Sequence, residues 1–297
     1  MNCSQIKLGG GNPTLDKILE FSKANNEILR ATTIPSQIPP ATGDLRLHQL
    51  ASLEILKRLA KFLDEKGIEY WLYAGTLIGA MRHKGFVPWD DDIDIAMTRP
   101  NYEKFESIID DFCQNGLSWS NGDLIRIFYK RATAIIDIFP FDFGNSTELP
   151  QDEEYQRIID KFMDFYNSIP FDWSVYRTPK GCNIPKEYRT TKYKAYYNNE
   201  ILQNKPIPPK AYLFHSFHAP AYARVLCKYD EIFPLKKISF EGYEFSCPNN
   251  PFMHLHNKYG DFMSLPKTLY SHEMGRNLSK ESMLHNLELL GNKDYLW

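Results

Sequence analysis

Residues 70–95 read YWLYAGTLIGAMRHKGFVPWDDDIDI. One short span holds an apolar strand, a Gly75-Thr76 turn, a helix of small residues, the basic tripeptide Arg82-His83-Lys84 and an acidic cluster. The cluster, Asp90-Asp91-Asp92-Ile93-Asp94-Ile95, decides the reading. Side chains alternate along a strand, so Asp92 and Asp94 share one face while Ile93 and Ile95 enter the core. Carboxylates buried side by side repel, and leaving them unpaired costs several kcal/mol. Magnesium is held by one or two such carboxylates plus phosphates and water.

Two plainer readings compete. A run of acidic residues is most often a solvated loop, but the interleaved isoleucines point to a strand. An EF-hand loop starting at Asp90 would need glycine at its sixth place and glutamate at its twelfth. Those places hold Ile95 and Asn101, so a calcium loop is excluded. Upstream, Ile68 to Tyr73 reads as a strand broken by Gly75. Gly75 allows a close backbone approach, and Thr76 is expected to cap the helix Leu77–Met81. A helix start presents free amides to an anion such as phosphate, although Gly-Thr alone is as consistent with plain capping. A further carboxylate can be sought elsewhere in the chain. Asp137, alone within the apolar run of residues 134–141, is the candidate, because a charge there needs a partner. Asp142 is the weaker choice, since Pro140 is expected to end the strand.

Residues 45–142 resemble the LicD family, which includes bacterial phosphocholine transferases and is related to fukutin. The matching segments are Tyr70–Leu72, Gly75–Ala80, Arg82–Phe86, Pro88–Ile95 and Asp137–Pro140. A second block, Phe240–Gly242 with Tyr259–Met263 and Leu265-Pro266, resembles the family's C-terminal half. The resemblance implies an α+β nucleotidyltransferase-like mixed sheet packed with helices, followed by a helical and basic C-terminal elaboration. It implies an enzyme that moves an alcohol phosphate from a CDP-alcohol, CDP-choline first, to a sugar hydroxyl of a glycan or lipid-linked glycan such as lipopolysaccharide or teichoic acid. CMP would leave. A CDP-ribitol-type donor and a true nucleotidyltransferase releasing pyrophosphate are the alternatives.

In that chemistry Asp92, Asp94 and Asp137 are the expected catalytic and metal-binding residues, holding Mg2+ or Mn2+. Asp137 is also the expected proton acceptor. Gly75, Thr76, Arg82, His83 and Lys84 would contact the nucleotide phosphates, Arg82 through a planar fork and Lys84 as a point charge. Trp89 is the candidate aromatic seat for a choline head.

The rest of the chain sets bounds. Its 297 residues, 43% hydrophobic and 24% charged, suffice for a proper core. A net charge of −2 gives no drive toward nucleic acid. Five scattered cysteines argue for a reducing compartment rather than a disulfide framework. A secretory leader and a membrane span are not expected. A cytoplasmic protein follows, with peripheral association at the inner membrane face open to it.

The expected organisation is an N-terminal helical appendage over 1–43, a catalytic core over 44–170 and a C-terminal region over 171–297. Asp44 should cap a helix with a leucine stripe from Leu45 to Leu63. Asn121-Gly122 signals a hairpin, and Glu241-Gly242 another. The segment Trp173–Lys210 interleaves basic residues with tyrosines, as a solvated loop or an acceptor surface would. A structural zinc site drawn from His215, His218, Cys182, Cys227 and Cys247 lacks any Cys-x-x-Cys pair and is not favoured.

Overall fold

A computed structural model describes residues 33–122, 124–129, 134–169, 185–215 and 225–266. Residues 1–32 of the expected N-terminal appendage, residues 173–184 of the basic, Tyr-rich segment, Cys182 and His218 lie outside the described residues. A long helix, α1 (Gly43–Glu65), leads in. Leu45, Leu53, Leu56, Leu59 and Leu63 are buried along it, one apolar stripe of the expected period. The N-cap position is Thr42, not Asp44, which lies in the first turn where its charge suits the helix dipole. His48, Gln49 and Ser52 are buried on the same helix. They are polar because that surface meets the acidic loop: Gln49 Nε2 donates to the Asp90 carbonyl at 2.8 Å.

Next come β1 (Trp71–Leu72), α2 (Ala74–Arg82), β2 (Asp94–Thr98), α3 (Arg99–Glu106) and α4 (Ile109–Phe112). A break at Ser107-Ile108 separates α3 from α4. The hairpin expected from Asn121-Gly122 follows, β3 (Leu117–Asn121) and β4 (Ile125–Tyr129), with Asn121 itself paired to Ile125 and the turn coming after it. β5 (Ala134–Phe143) completes the central sheet. It runs through Pro140 rather than ending there, with Pro140 in register against Met97. Helix α5 (Asp152–Asn167) and a run of π and α turns, Tyr188–Lys192, α6 (Tyr193–Tyr196) and Tyr197–Ile201, pack into a separate aromatic cluster around Phe162, Tyr166 and Tyr196. The chain then returns to the sheet through β6 (Leu213–His215) and β7 (Leu226–Cys227). A short helix α7 (Tyr229–Ile232), the hairpin β8 (Lys236–Phe240) and β9 (Tyr243–Cys247), and α8 (Pro251–Tyr259) close the described chain.

The main sheet has the order β1-β2-β5-β4-β3, with β6 and β7 continuing from β5. Only β2 and β5 are parallel; the other pairs are antiparallel. One edge of β5 is shared, β4 taking its first half and β6 its second. This is the mixed, helix-packed sheet expected of an α+β nucleotidyltransferase-like fold.

The C-terminal hairpin buttresses the region that carries the acidic loop. Its turn residue Glu241 receives a two-point hydrogen bond from Arg46, at 2.9 and 2.7 Å, and a third bond from the Phe86 amide at 3.1 Å. Burial pushes the Glu241 carboxyl up, but the Arg46 and Phe86 bonds outweigh it and hold it below the ordinary range. A side chain on Gly85 would collide with Glu241, so glycine is required at that contact. Gly79 is equally constrained: a Cβ there would lie 2.4 Å from the Gly85 carbonyl oxygen and 3.1 Å from the Val87 amide. In an open helix Gly→Ala gains about 1 kcal/mol. Here backbone blocks the added methyl, and overpacking costs about 1–3 kcal/mol. Gly79→Ala should therefore lower the midpoint of urea unfolding; a raised midpoint would mean the α2–loop contact is loose.

Candidate active site

The acidic site is assembled by strand pairing. Parallel register sets Asp94 beside Asp137, and the Asp137 amide donates to the Ile93 carbonyl at 2.7 Å. Ile93 and Ile95 are fully buried, which turns Asp94 to the opposite face. β2 begins at Asp94, so Asp92 stands in the loop just before the strand rather than on it. Even so, Asp92, Asp94 and Asp137 each offer an oxygen within 4.8 Å of the others. Asp90, Asp91 and Asp92 form a second such group. Together they make one continuous acidic surface, and Asp90 was not among the residues singled out from the sequence.

The glycine turn locks this arrangement. Helix α2 starts at Ala74, which holds a left-handed φ of 40°, a costly conformation for a residue with a Cβ. The Gly75 amide then donates to Asp94 Oδ2 at 3.0 Å. Thr76 does not cap the helix; its hydroxyl accepts from the Asp94 amide at 2.8 Å. A Cβ on Gly75 would lie 2.4 Å from Asp90 Oδ2. Close approach was expected of Gly75, but the partners in this structure are carboxylates.

Two cations oppose the acids. Arg126 faces Asp137 across β4–β5, Nε to Oδ2 at 3.6 Å, and both side chains are largely buried. Lys258 on α8 holds its Nζ 3.9 Å above the Tyr73 ring. Burial pulls its pKa down to about 7, while Asp94 and Cys227 push it back up. Neither residue carried a signal in the sequence, because each reaches the site through a pairing far along the chain.

The balance remains acidic. Asp90, Asp91, Asp92, Asp94 and Asp137 set five carboxyls against Arg126 and Lys258, with Arg82 near Asp90. Two like charges about 4 Å apart repel by about 4 kcal/mol at an effective dielectric of 20. A typical hydrogen bond returns only about 1 kcal/mol net, so the Gly75 amide cannot offset the crowding. Burial, then the charges of Asp92 and Asp137, push the Asp94 carboxyl well above the ordinary range; Lys258 and the Gly75 amide pull it back. Asp90 is raised likewise, by burial and by Asp92, Asp94 and Asp91. The donor set is all oxygen and its surplus charge is negative, which fits a hard divalent cation such as magnesium or manganese.

The remaining sequence candidates occupy other places. Arg82 donates to the carbonyls of Phe262 at 2.6 Å and Ser264 at 3.1 Å, and to His83 Nε2 at 2.9 Å. Its guanidinium pins the C-terminal segment, and burial lowers its pKa to about 10. His83 is held neutral by burial and by Arg82, with a pKa near 3. The Lys84 side chain is exposed, while its carbonyl accepts from the Glu241 amide at 2.9 Å. Trp89 is packed with Ile38, Val87 and Leu265 rather than presented as an open platform. Asp142 is bound by Arg99 through two bonds of 3.0 and 2.9 Å and by the Tyr193 hydroxyl, which commits it to the structure.

Residues 67–181 match the model of the LicD/FKTN/FKRP family's nucleotidyltransferase domain. A lipopolysaccharide cholinephosphotransferase, LicD of Haemophilus influenzae, is 50% identical over 64 residues, 22% of this chain and 24% of its own. Human ribitol 5-phosphate transferase FKRP is 28% identical over 140 residues, 41% of this chain and 28% of its own. An uncharacterized Rickettsia typhi protein is 30% identical over 164 residues, half of this chain and 49% of its own. The resemblance to the LicD family is thus shown within the chain, which spans less than half the length of these relatives.

The crowding has a sign that can be measured. A carboxyl raised in the folded state favours folding below its unfolded pKa, and that contribution is lost as pH climbs through the folded value. Asp94→Asn keeps an oxygen for the Gly75 amide and removes the charge. In EDTA at pH 8 the variant should melt above the wild type, by a few degrees for roughly 1 kcal/mol, and the gap should close as pH falls. A variant that melts lower at pH 8 would show that the acids are not in conflict.

Proposed function

We propose that this chain transfers an alcohol phosphate, phosphocholine first, from a CDP-alcohol to a sugar hydroxyl of a glycan or lipid-linked glycan, with release of CMP. The observation that carries the reading is the convergence of Asp94 and Asp137 from parallel strands with Asp92 beside them. The names of the two characterised relatives support the reaction class: both are phosphotransferases, one for choline phosphate and one for ribitol phosphate.

Asp92, Asp94 and Asp137 would hold Mg2+ or Mn2+, which when bound offsets diphosphate charge and polarises the attacked phosphorus. The acceptor oxygen forms a new bond to the phosphorus of the alcohol phosphate, and the bond from that phosphorus to the bridging oxygen breaks, leaving CMP. Asp137 would take the acceptor's proton, its carboxylate kept ionised and oriented by Arg126, whose Nε lies 3.6 Å from Oδ2. Lys258 offers an ammonium next to Asp94, where a phosphate oxygen could replace the tyrosine ring as its partner. Gly75 and Thr76 act by fixing Asp94, and Arg82 and Glu241 by fixing the segments around the loop. Phosphoryl transfer is mostly positioning and charge neutralisation, and these are the tasks the residues can perform.

Among the described residues no helix is long and apolar enough to cross a membrane.

The test uses purified protein with CDP-choline, CDP-ribitol and CTP, each with magnesium, and follows phosphorus products by NMR. CMP from a CDP-alcohol is expected, abolished by EDTA and restored by magnesium or manganese. Asp92→Asn and Asp94→Asn should fall to background, and Asp137→Asn should lose about 10²–10⁴-fold. Pyrophosphate from CTP without CMP from either CDP-alcohol would replace this reading with nucleotidyl transfer.

A further inference from the structure

Next to Lys258, three unlike side chains converge. Cys227 ends β7, Glu231 lies on α7 and His254 on α8. Cys227 and His254 are each 1% exposed. Cys227 Sγ lies 3.3 Å from His254 Nδ1, and Glu231 Oε1 lies 3.3 Å from the same nitrogen. All three atoms fall within 4.8 Å of one another. We propose that Cys227, Glu231 and His254 bind a zinc ion that clips β7, α7 and α8 together.

Without a metal the three groups can form a hydrogen-bonded trio, the Cys227 thiol also lying within hydrogen-bonding reach of Glu231. The same three residues, drawn together from β7, α7 and α8, also offer one ligand atom each to a common centre. Tetrahedral zinc, with bonds of about 2.0–2.3 Å, sets neighbouring ligand atoms roughly 3.3–3.6 Å apart. With zinc on Nδ1 the imidazole proton sits on Nε2, which has no hydrogen-bond partner among the described residues. The second oxygen of Glu231 is fixed by Asn257 Nδ2 at 2.9 Å, leaving Oε1 turned inward, the kind of outer support that metal-ligating carboxylates have.

Charge agrees as well. When zinc enters, the Cys227 thiol gives its proton to solvent, and thiolate plus carboxylate plus neutral imidazole cancel the two positive charges of the ion. A buried site without net charge avoids the desolvation cost of a lone ion. The mixed sulfur, nitrogen and oxygen set suits zinc rather than the hard cations that fit the acidic surface.

The clip would have a consequence for the neighbouring site. His254 and Lys258 are four apart on α8 and share a helix face. The start of α8 is already tied to α7, the Asn249 and Asn250 amides donating to the Ile232 and Glu231 carbonyls at 2.9 Å. Fixing His254 fixes the helix that holds Lys258 over Tyr73 beside Asp94. Among the described residues, the zinc set weighed from the sequence is not the one that gathers; Cys227 remains and Glu231 and His254 replace the others.

The experiment takes the full chain, measures zinc by mass spectrometry after dialysis against limiting zinc, and then exchanges the metal for cobalt. About one zinc per chain is expected, with a near-ultraviolet thiolate-to-cobalt charge-transfer band. Cys227→Ser should abolish the band, and Glu231→Gln, which keeps the shape and the Asn257 bond, should weaken zinc binding at least about 10-fold with an unchanged circular dichroism spectrum. Asp94→Asn should keep both zinc and band, so failure at the acidic surface and failure at this site are separable. A chain that takes up no zinc, or a cobalt band that survives in Cys227→Ser, would overturn the proposal.

Discussion

The parallel pairing of β2 with β5 is the constraint on which the rest depends. It puts Asp94 next to Asp137, and a one-residue slip of the register would send one of the two to the opposite face of the sheet. Everything nearby serves to keep acids where they repel. Gln49 holds the loop carbonyl of Asp90, Thr76 and Gly75 grip Asp94 at its amide and its carboxylate, and Arg126 faces Asp137 from β4. A surface built this way lowers stability locally, as preorganised functional sites commonly do.

The C-terminal portion is part of this scaffold, not an addition to it. Glu241 reaches Arg46 on α1 and the Phe86 amide, and Arg82 holds the carbonyls of Phe262 and Ser264. These long-range bonds brace the chain on both sides of the acidic loop. They also bring α8, and with it Lys258, against Tyr73. The family model matches residues 67–181, yet a cation beside Asp94 comes from beyond that match.

What could be read from the sequence was whatever short-range chemistry dictates. The Asp-Ile-Asp-Ile alternation gave away the strand and its acidic face, Asn121-Gly122 the hairpin, and the isolated charge in an apolar run the third carboxylate. Roles that depend on which distant segment packs opposite were not legible. Arg82 looked like a phosphate ligand because it sits in a basic tripeptide, but backbone carbonyls far along the chain take its donors. Trp89 looked available because aromatic residues read alike on a surface or in a core. Thr76 reads as a cap to any local rule, and only the position of Asp94 reveals its real partner. Arg126 and Lys258 had no local mark at all.

The most direct measurement is anomalous diffraction from crystals soaked in Mn2+ together with a non-hydrolysable CDP-choline analogue. A manganese peak about 2.2 Å from oxygens of Asp94 and Asp137, with Asp92 close by and the diphosphate completing the shell, is the expected result. A peak elsewhere, or carboxylates of Asp94 and Asp137 turned apart with no metal between them, would contradict the convergence on which the catalytic reading stands.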